Sequence, residues 1–218
     1  MIAPFARALR LWYRPRVHGL DRVPADRPVV YVGKHPRSWL YLETILMGLL
    51  AFWDGDRVPF RPMEKRGTSL HRLPGLAWLR RHVGAIPATA EAALAVLRGG
   101  ESILLFPGGA SELYGAPDRI AWRGRRGFAR IAAAAGAPVV PFAIGGADQQ
   151  HPLRLAVGTR GSLWLPPVPL PVTLDYFFGA PLSPPREEDA AAVARLADRA
   201  AAETRALLAA AQQVRTAR

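Results

Sequence analysis

The chain contains no cysteine, which excludes a disulfide framework, thiolate metal sites and a cysteine nucleophile. Lysine is almost missing as well: Lys34 and Lys65 are the only two, so the formal net charge of +12 rests on arginine. No run of ~18 or more uncharged apolar residues occurs, which leaves no candidate membrane-spanning helix. The closest stretch, Leu40 to Trp53, is too short and carries Glu43. The five histidines, His18, His35, His71, His82 and His151, have no His-Glu-x-x-His or comparable spacing, so no metal is expected. A Walker loop and a Gly-x-Ser-x-Gly elbow are both lacking, which removes P-loop phosphate chemistry and the usual serine hydrolase. No repeat, Gly/Ser linker or charge block divides the 218 residues, half of which are hydrophobic, so a single domain over 1–218 is expected.

The arginine excess suits polyanions such as an anionic membrane surface, phosphorylated substrates or nucleic acid, and it equally suits a merely arginine-rich composition. No helix-turn-helix, zinc finger or aromatic RNA-binding strand is present to read bases, so no specific nucleic acid partner is expected. Residues 1–14 interleave Arg7, Arg10 and Arg14 with Phe5, Leu9, Trp12 and Tyr13. That spacing predicts a basic amphipathic helix, either lying in a membrane interface or packing on the domain's own core. It does not read as a cleaved signal peptide, because Arg7 and Arg10 interrupt the apolar stretch.

Beyond this helix the pattern alternates. Strands are expected at Pro28–Val32, Val58–Met63, Gly84–Ile86, Ser102–Phe106, Val139–Ile144 and Val172–Phe177. Helices are expected at Ser38–Phe52, Leu70–His82, Ala90–Arg98, Gly124–Ala135 and Glu187–Val214, the last as a cover over one sheet face. The fold class is therefore α/β, a mixed and largely parallel sheet flanked by helices.

Three clusters in this frame can carry chemistry. The first is His35, delivered by Val29-Val30-Tyr31-Val32-Gly33-Lys34 onto a turn at a strand's carboxyl end, where α/β proteins place their sites. The second is Phe106-Pro107-Gly108-Gly109-Ala110-Ser111-Glu112, directly after an apolar strand. Its glycines allow close backbone approach, and their amides can donate to an anionic oxygen; the plainer alternative is a tight turn. The third is Trp122-Arg123-Gly124-Arg125-Arg126-Gly127, whose guanidinium groups stand near a helix N-terminus and suit phosphate, with Arg123 and Arg126 as candidates.

Taken in order, the strand and His35, Gly84-Ala85-Ile86-Pro87, Leu105-Phe106-Pro107-Gly108-Gly109-x-x-Glu112, Arg125-Arg126-Gly127-Phe128-Ala129 and Val139-Val140-Pro141-Phe142-Ala143-Ile144 resemble the glycerolipid acyltransferase superfamily typified by lysophosphatidic acid acyltransferases. The likeness covers about residues 15–180 and is strongest to the Phe-Pro-Gly-Gly branch, which includes diacylglycerol acyltransferase-like proteins. It implies an enzyme of lipid metabolism on the cytoplasmic face of a membrane. That enzyme would move a fatty acyl group from acyl-CoA or acyl carrier protein, as co-substrate, to a lipid hydroxyl, with no bound cofactor.

The same resemblance implies His35 as general base on the acceptor hydroxyl, a role a neutral imidazole can fill near pH 7. It implies the loop of Pro107, Gly108, Gly109 and Glu112 in substrate positioning, and Gly84 and Ile86 in acceptor binding. Two positions depart from the family pattern. Leu40 stands where an aspartate would orient the imidazole, which makes Glu43 the nearest carboxylate and the candidate orienter, provided a helix starts near Ser38 as N-cap. Ala88-Thr89 stands where many members carry an arginine for the acceptor's phosphate. Arg61, Lys65, Arg66 or Arg123 would replace it, or the acceptor is a neutral lipid alcohol. The site residues are expected to converge beside an apolar tunnel for an acyl chain. A catalytically impaired lipid-binding protein and an acyl-ester or thioester hydrolase are the alternatives.

Overall fold

The apolar run Val29 to Val32 forms a strand because both of its faces are buried. Val30 and Val32 enter one core cluster, Val29 and Tyr31 the other, and each is at most 1% exposed. A computed structural model describes residues 2–37, 42–54, 56–65, 82–113, 115–116, 119–157, 161–186 and 189–217. In chain order these contain α1 (Ile2–Tyr13), β1 (Arg16–His18), β2 (Val30–Gly33), α2 (Leu42–Gly48) running into a π-helical stretch (Leu49–Asp54), β3 (Phe60–Glu64) and β4 (Ile86–Pro87). There follow α3 (Ala90–Arg98), β5 (Ser102–Leu105), the short α4 (Ala110–Leu113), α5 (Gly127–Ala135), β6 (Val139–Gly145), β7 (Leu153–Val157), β8 (Gly161–Leu165), β9 (Asp175–Phe178) and α6 (Ala190–Thr216).

Seven strands make one sheet in the order β1-β9-β6-β2-β5-β3-β4, and β7 pairs with β8 separately as an antiparallel hairpin. The block β6-β2-β5-β3-β4 is parallel throughout. β9 runs antiparallel to β6, and β1 parallel to β9. The expected mixed, largely parallel α/β sheet is thus present. One face is covered by α3, α5 and α6 through Leu97, Phe128, Ile131, Val193 and Leu196. The other is covered by α1 and α2 through Leu9, Tyr13, Leu46 and Met47.

Local chemistry sets the helix ends. Thr89 caps α3 by accepting from the Ala92 amide at 3.2 Å, and Asp189 caps α6 by accepting from the Ala191 and Ala192 amides. The expected helix from Ser38 is described from Leu42 onward, and the one from Leu70 lies, but for His82, outside the described residues. Ser38, Leu40 and Arg66 lie outside them too. Among the features not expected are β1, the short α4, the π-helical stretch and the β7–β8 hairpin.

Helix α1 divides the apolar residues expected on one face. Leu9 and Tyr13 are buried, whereas Phe5 and Trp12 stay 44% and 43% exposed beside Leu11 at 72%. The helix packs on the core and still presents apolar side chains outward. No helix among the described residues is long and apolar enough to cross a membrane.

The strand register defines where a ligand can meet the sheet. Gly33 lies beside Phe142, Val32 beside Leu105, Pro62 beside Leu104 and Glu64 beside Pro87. Consequently Lys34-His35, Pro107-Gly108, Lys65 and Ala88 all leave the sheet along one carboxyl edge. That edge is where open α/β sheets hold ligands.

Candidate active site

His35 lies two residues beyond the end of β2 and is only 6% exposed. Its ring tilts against Phe106 with centroids 4.8 Å apart, and its Nδ1 lies 2.8 Å from the Pro36 carbonyl oxygen. A carbonyl only accepts, so Nδ1 carries the proton and Nε2 keeps its lone pair. Burial lowers the imidazole from 6.5 to about 4, a shift that the Pro36 carbonyl opposes and the Lys34 ammonium reinforces. The ring is therefore neutral near pH 7.

The backbone that carries this ring is held from the short helix that follows the neighbouring strand. Glu112, fully buried on α4, accepts from the His35 amide at 2.8 Å through Oε2 and from the Ala121 amide at 2.7 Å through Oε1. Burial raises its carboxyl above the usual range, against the pull of those two amides and of Lys34 and Arg125. Gly108 is what lets the carboxyl lie there, because a Cβ at that position would fall on the Glu112 side chain. His35 and the glycine loop thus meet through one carboxylate, although 77 residues separate His35 from Glu112.

The geometry shows what several of these groups hold. Glu112 accepts a backbone amide on each oxygen and braces the His35 backbone. Gly109 adopts the left-handed conformation (φ 55°) and donates its amide to the Phe106 carbonyl at 2.9 Å, so that donor closes the turn and does not point at a substrate oxygen. The Pro107 and Gly108 carbonyls accept from Arg125 Nη1 at 3.0 and 2.7 Å. Arg125, the middle arginine of its cluster, therefore ties down the loop. Arg123 and Arg126 are exposed on either side of it, and Arg126 supplies no side-chain cap to α5.

Glu43 is buried on α2, where its backbone carbonyl accepts the Tyr176 hydroxyl at 2.7 Å. Its charge adds to the burial that raises both Tyr13 and Tyr176. The position expected of an orienting carboxylate, at Nδ1 of His35, is held by the Pro36 carbonyl. One residue of backbone thus explains the ring's orientation.

Gly84 and Ile86 belong to the edge of the sheet. Ile86 pairs with Met63 in β4, and Gly84 (φ +68°) sits where a Cβ would strike the Arg61 guanidinium. β4 is three strands from β2 in the sheet order, or about 14 Å at ~4.8 Å per strand, a span that a lipid-sized acceptor can bridge. Arg61 is committed to Glu101 through two bonds of 2.5 and 2.9 Å, and Thr89 is committed to its helix cap. Lys65 is exposed on the carboxyl edge. The cleft beside His35, between Lys34–Arg37, Ala147–Asp148 and Leu208, holds about 20 Å³ among the described residues, room for one water.

A model of the acyltransferase family matches residues 14–145, which include β2 with His35 and β5 with the glycine loop. The chain belongs to the acyltransferase family. The chain is 27% identical over 190 residues to a human protein described as a DGAT1/2-independent enzyme synthesizing storage lipids, covering 79% of this chain and 55% of that one. To the chloroplastic phytyl ester synthase 1 of Arabidopsis thaliana it is 34% identical over 140 residues, covering 61% of this chain and 19% of that one. The chain thus spans about half the length of the first relative and a smaller part of the second. The crystal structure of the 1-acyl-sn-glycerophosphate acyltransferase PlsC from Thermotoga maritima superposes with a TM-score of 0.60 at 19% identity, covering 92% of this chain and 75% of that one. At that identity the likeness is one of fold.

Proposed function

We propose that the chain is a membrane-peripheral O-acyltransferase working on the cytoplasmic face of a membrane. It moves a fatty acyl group from the thioester of coenzyme A or an acyl carrier protein to a lipid hydroxyl. The observation that carries this reading is His35 itself: buried, neutral near pH 7, with Nδ1 on the Pro36 carbonyl and its backbone braced by Glu112 at the carboxyl edge. Nε2 takes the proton from the acceptor hydroxyl as its oxygen adds to the thioester carbonyl. Collapse of the tetrahedral intermediate breaks the C–S bond, and the departing thiolate takes the proton back from the imidazolium. The products are an ester and a free thiol, and no covalent acyl-enzyme is needed.

The acceptor we favour is a neutral lipid alcohol such as diacylglycerol. Arg61 is paired with Glu101, and Ala88 and Thr89 carry no charge, which leaves Lys65 as the cation that the described residues of this edge offer a phosphate. The test is acyl transfer from radiolabelled acyl-CoA to diacylglycerol in mixed micelles, wild type against His35→Ala, with circular dichroism confirming that the variant is folded. Loss of ester formation in the folded variant is expected. Wild-type turnover by His35→Ala would refute the base. Release of free fatty acid at an equal rate without acceptor would replace the transferase with a hydrolase.

A further inference from the structure

A cavity of about 350 Å³ lies away from His35, lined by Arg14, Gln149, Pro171, Val172, Thr173 and Arg215. Arg215 is fixed in its wall: it donates to the Thr173 carbonyl at 3.0 Å, reaches the Gln149 side chain and lies 3.6 Å from buried Asp175. Arg14 closes α1 through a backbone bond to Arg10 of 2.8 Å and holds a left-handed conformation, φ 40°, that is uncommon for a residue with a side chain. Its guanidinium is exposed and finds no partner among the described residues. Asp175 thus balances one of two guanidinium groups that face the same space.

Asp175 apart, the rim is largely apolar. Leu11, Trp12, Val168 and Leu170 are 72, 43, 66 and 38% exposed. The Trp12 indole N–H is satisfied by the Pro169 carbonyl at 3.1 Å, which joins α1 to this segment and leaves the ring's outer surface apolar. Neither Ile2 to Leu20 nor Gln149 to Leu174 contains an aspartate or glutamate. A cationic pocket rimmed by exposed leucine, valine and tryptophan has the polarity profile of a membrane interface.

We propose that this pocket is a headgroup site for an anionic phospholipid, whose phosphodiester seats between Arg14 and Arg215 while its acyl chains run past Leu11, Trp12 and Leu170. The site extends the membrane-peripheral reading and does not depend on acyl transfer. It has a geometric consequence for that chemistry. The 3-10 turn Ala147–Gln150 forms part of both cavities, with Ala147 and Asp148 on the His35 side and Gln149 on the Arg14 side. A lipid held at Arg14 places the His35 cleft one turn of chain away from the bilayer surface.

Binding separates this site from acyl transfer. Co-sedimentation with phosphatidylcholine vesicles containing one-third phosphatidylglycerol compares wild type, Arg14→Gln and Arg199→Gln, the last removing the same charge from an exposed position on α6. Arg14→Gln is expected to weaken binding about fivefold, the effect of one cation at an anionic surface, and Arg199→Gln much less. A second measurement titrates monomeric dihexanoyl phosphatidylglycerol, with dihexanoyl phosphatidylcholine and inorganic phosphate as comparisons. Saturable binding of the anionic lipid that Arg14→Gln weakens several-fold supports the site. Equal losses in the two charge variants, or inorganic phosphate binding as tightly as the lipid, would overturn it in favour of a diffuse field or a free-phosphate site.

Discussion

Replacing Gly108 by alanine puts a methyl group on the Glu112 side chain, and the structure sets the size of the consequence. The carboxyl group cannot swing aside freely, because it is fully buried and its oxygens hold the His35 and Ala121 amides at 2.8 and 2.7 Å. Displacing it forfeits two hydrogen bonds to a charged acceptor, at ~1.5–3 kcal/mol each, so Gly108→Ala should destabilise the protein by about 3 kcal/mol or more. Gly109→Ala is the internal comparison. Its φ is +55° and a Cβ there would meet nothing within 4 Å, which leaves only the left-handed backbone cost of ~1–2 kcal/mol. Urea unfolding of the two variants measures the difference, and acyl transfer at low urea should fall further in Gly108→Ala, where the His35 backbone is released. A double-mutant cycle makes the argument sharper. In a Glu112→Ala background the obstruction is gone, and the cost of Gly108→Ala should drop by about 2 kcal/mol or more. Equal destabilisation by the two glycine variants, or additivity in the cycle, would refute the account of Glu112 as the brace that needs Gly108.

Two further outcomes follow from the electrostatics and the loop. Because His35 has its folded pKa lowered from 6.5 to about 4, the stability it contributes is present above its unfolded value and is lost as pH falls from 6.5 towards 4, by about 3 kcal/mol in all. His35→Gln should flatten the stability profile over that window, and the acid limb of kcat/KM in the wild type should lie well below pH 6.5; a limb at the free-histidine value would contradict the buried neutral base. Glu112 acts in the opposite sense, its raised pKa contributing stability that is present below 4.5 and lost as pH rises through its folded value. Arg125→Gln should lower turnover several-fold with ~1 kcal/mol or less of stability lost, since the group is exposed but anchors the Pro107 and Gly108 carbonyls. Arg126→Gln should do less, and equal effects of the two would remove Arg125 from its place on the loop.

The features that were legible in the sequence are those that depend on local pattern. Runs such as Val139 to Ile144 are apolar throughout because β6 is buried on both faces, and Ala90–Arg98 carries its own cap at Thr89, so its boundaries match. β1 escaped notice because its three residues are exposed or half-buried and carry no apolar signal, and the reversed direction of β9 has no local signature at all. The site follows the same division. His35 and the glycine loop are recognisable as residue types at strand ends, whereas what holds them depends on chain direction. Of the three arginines at 123, 125 and 126, side-chain chemistry is identical, and the left-handed φ of 49° at Arg123 and the turn from Trp122 to Arg125 decide which one reaches the loop. The orienter of His35 is a carbonyl, a group every residue owns, so no search over side chains would find it. A search for a carboxylate leads instead to Glu43, whose charge acts on Tyr13 and Tyr176. Leucine at position 40 is then chemically compatible with a working base, because the proton on Nδ1 needs only an acceptor, and the Pro36 carbonyl is one.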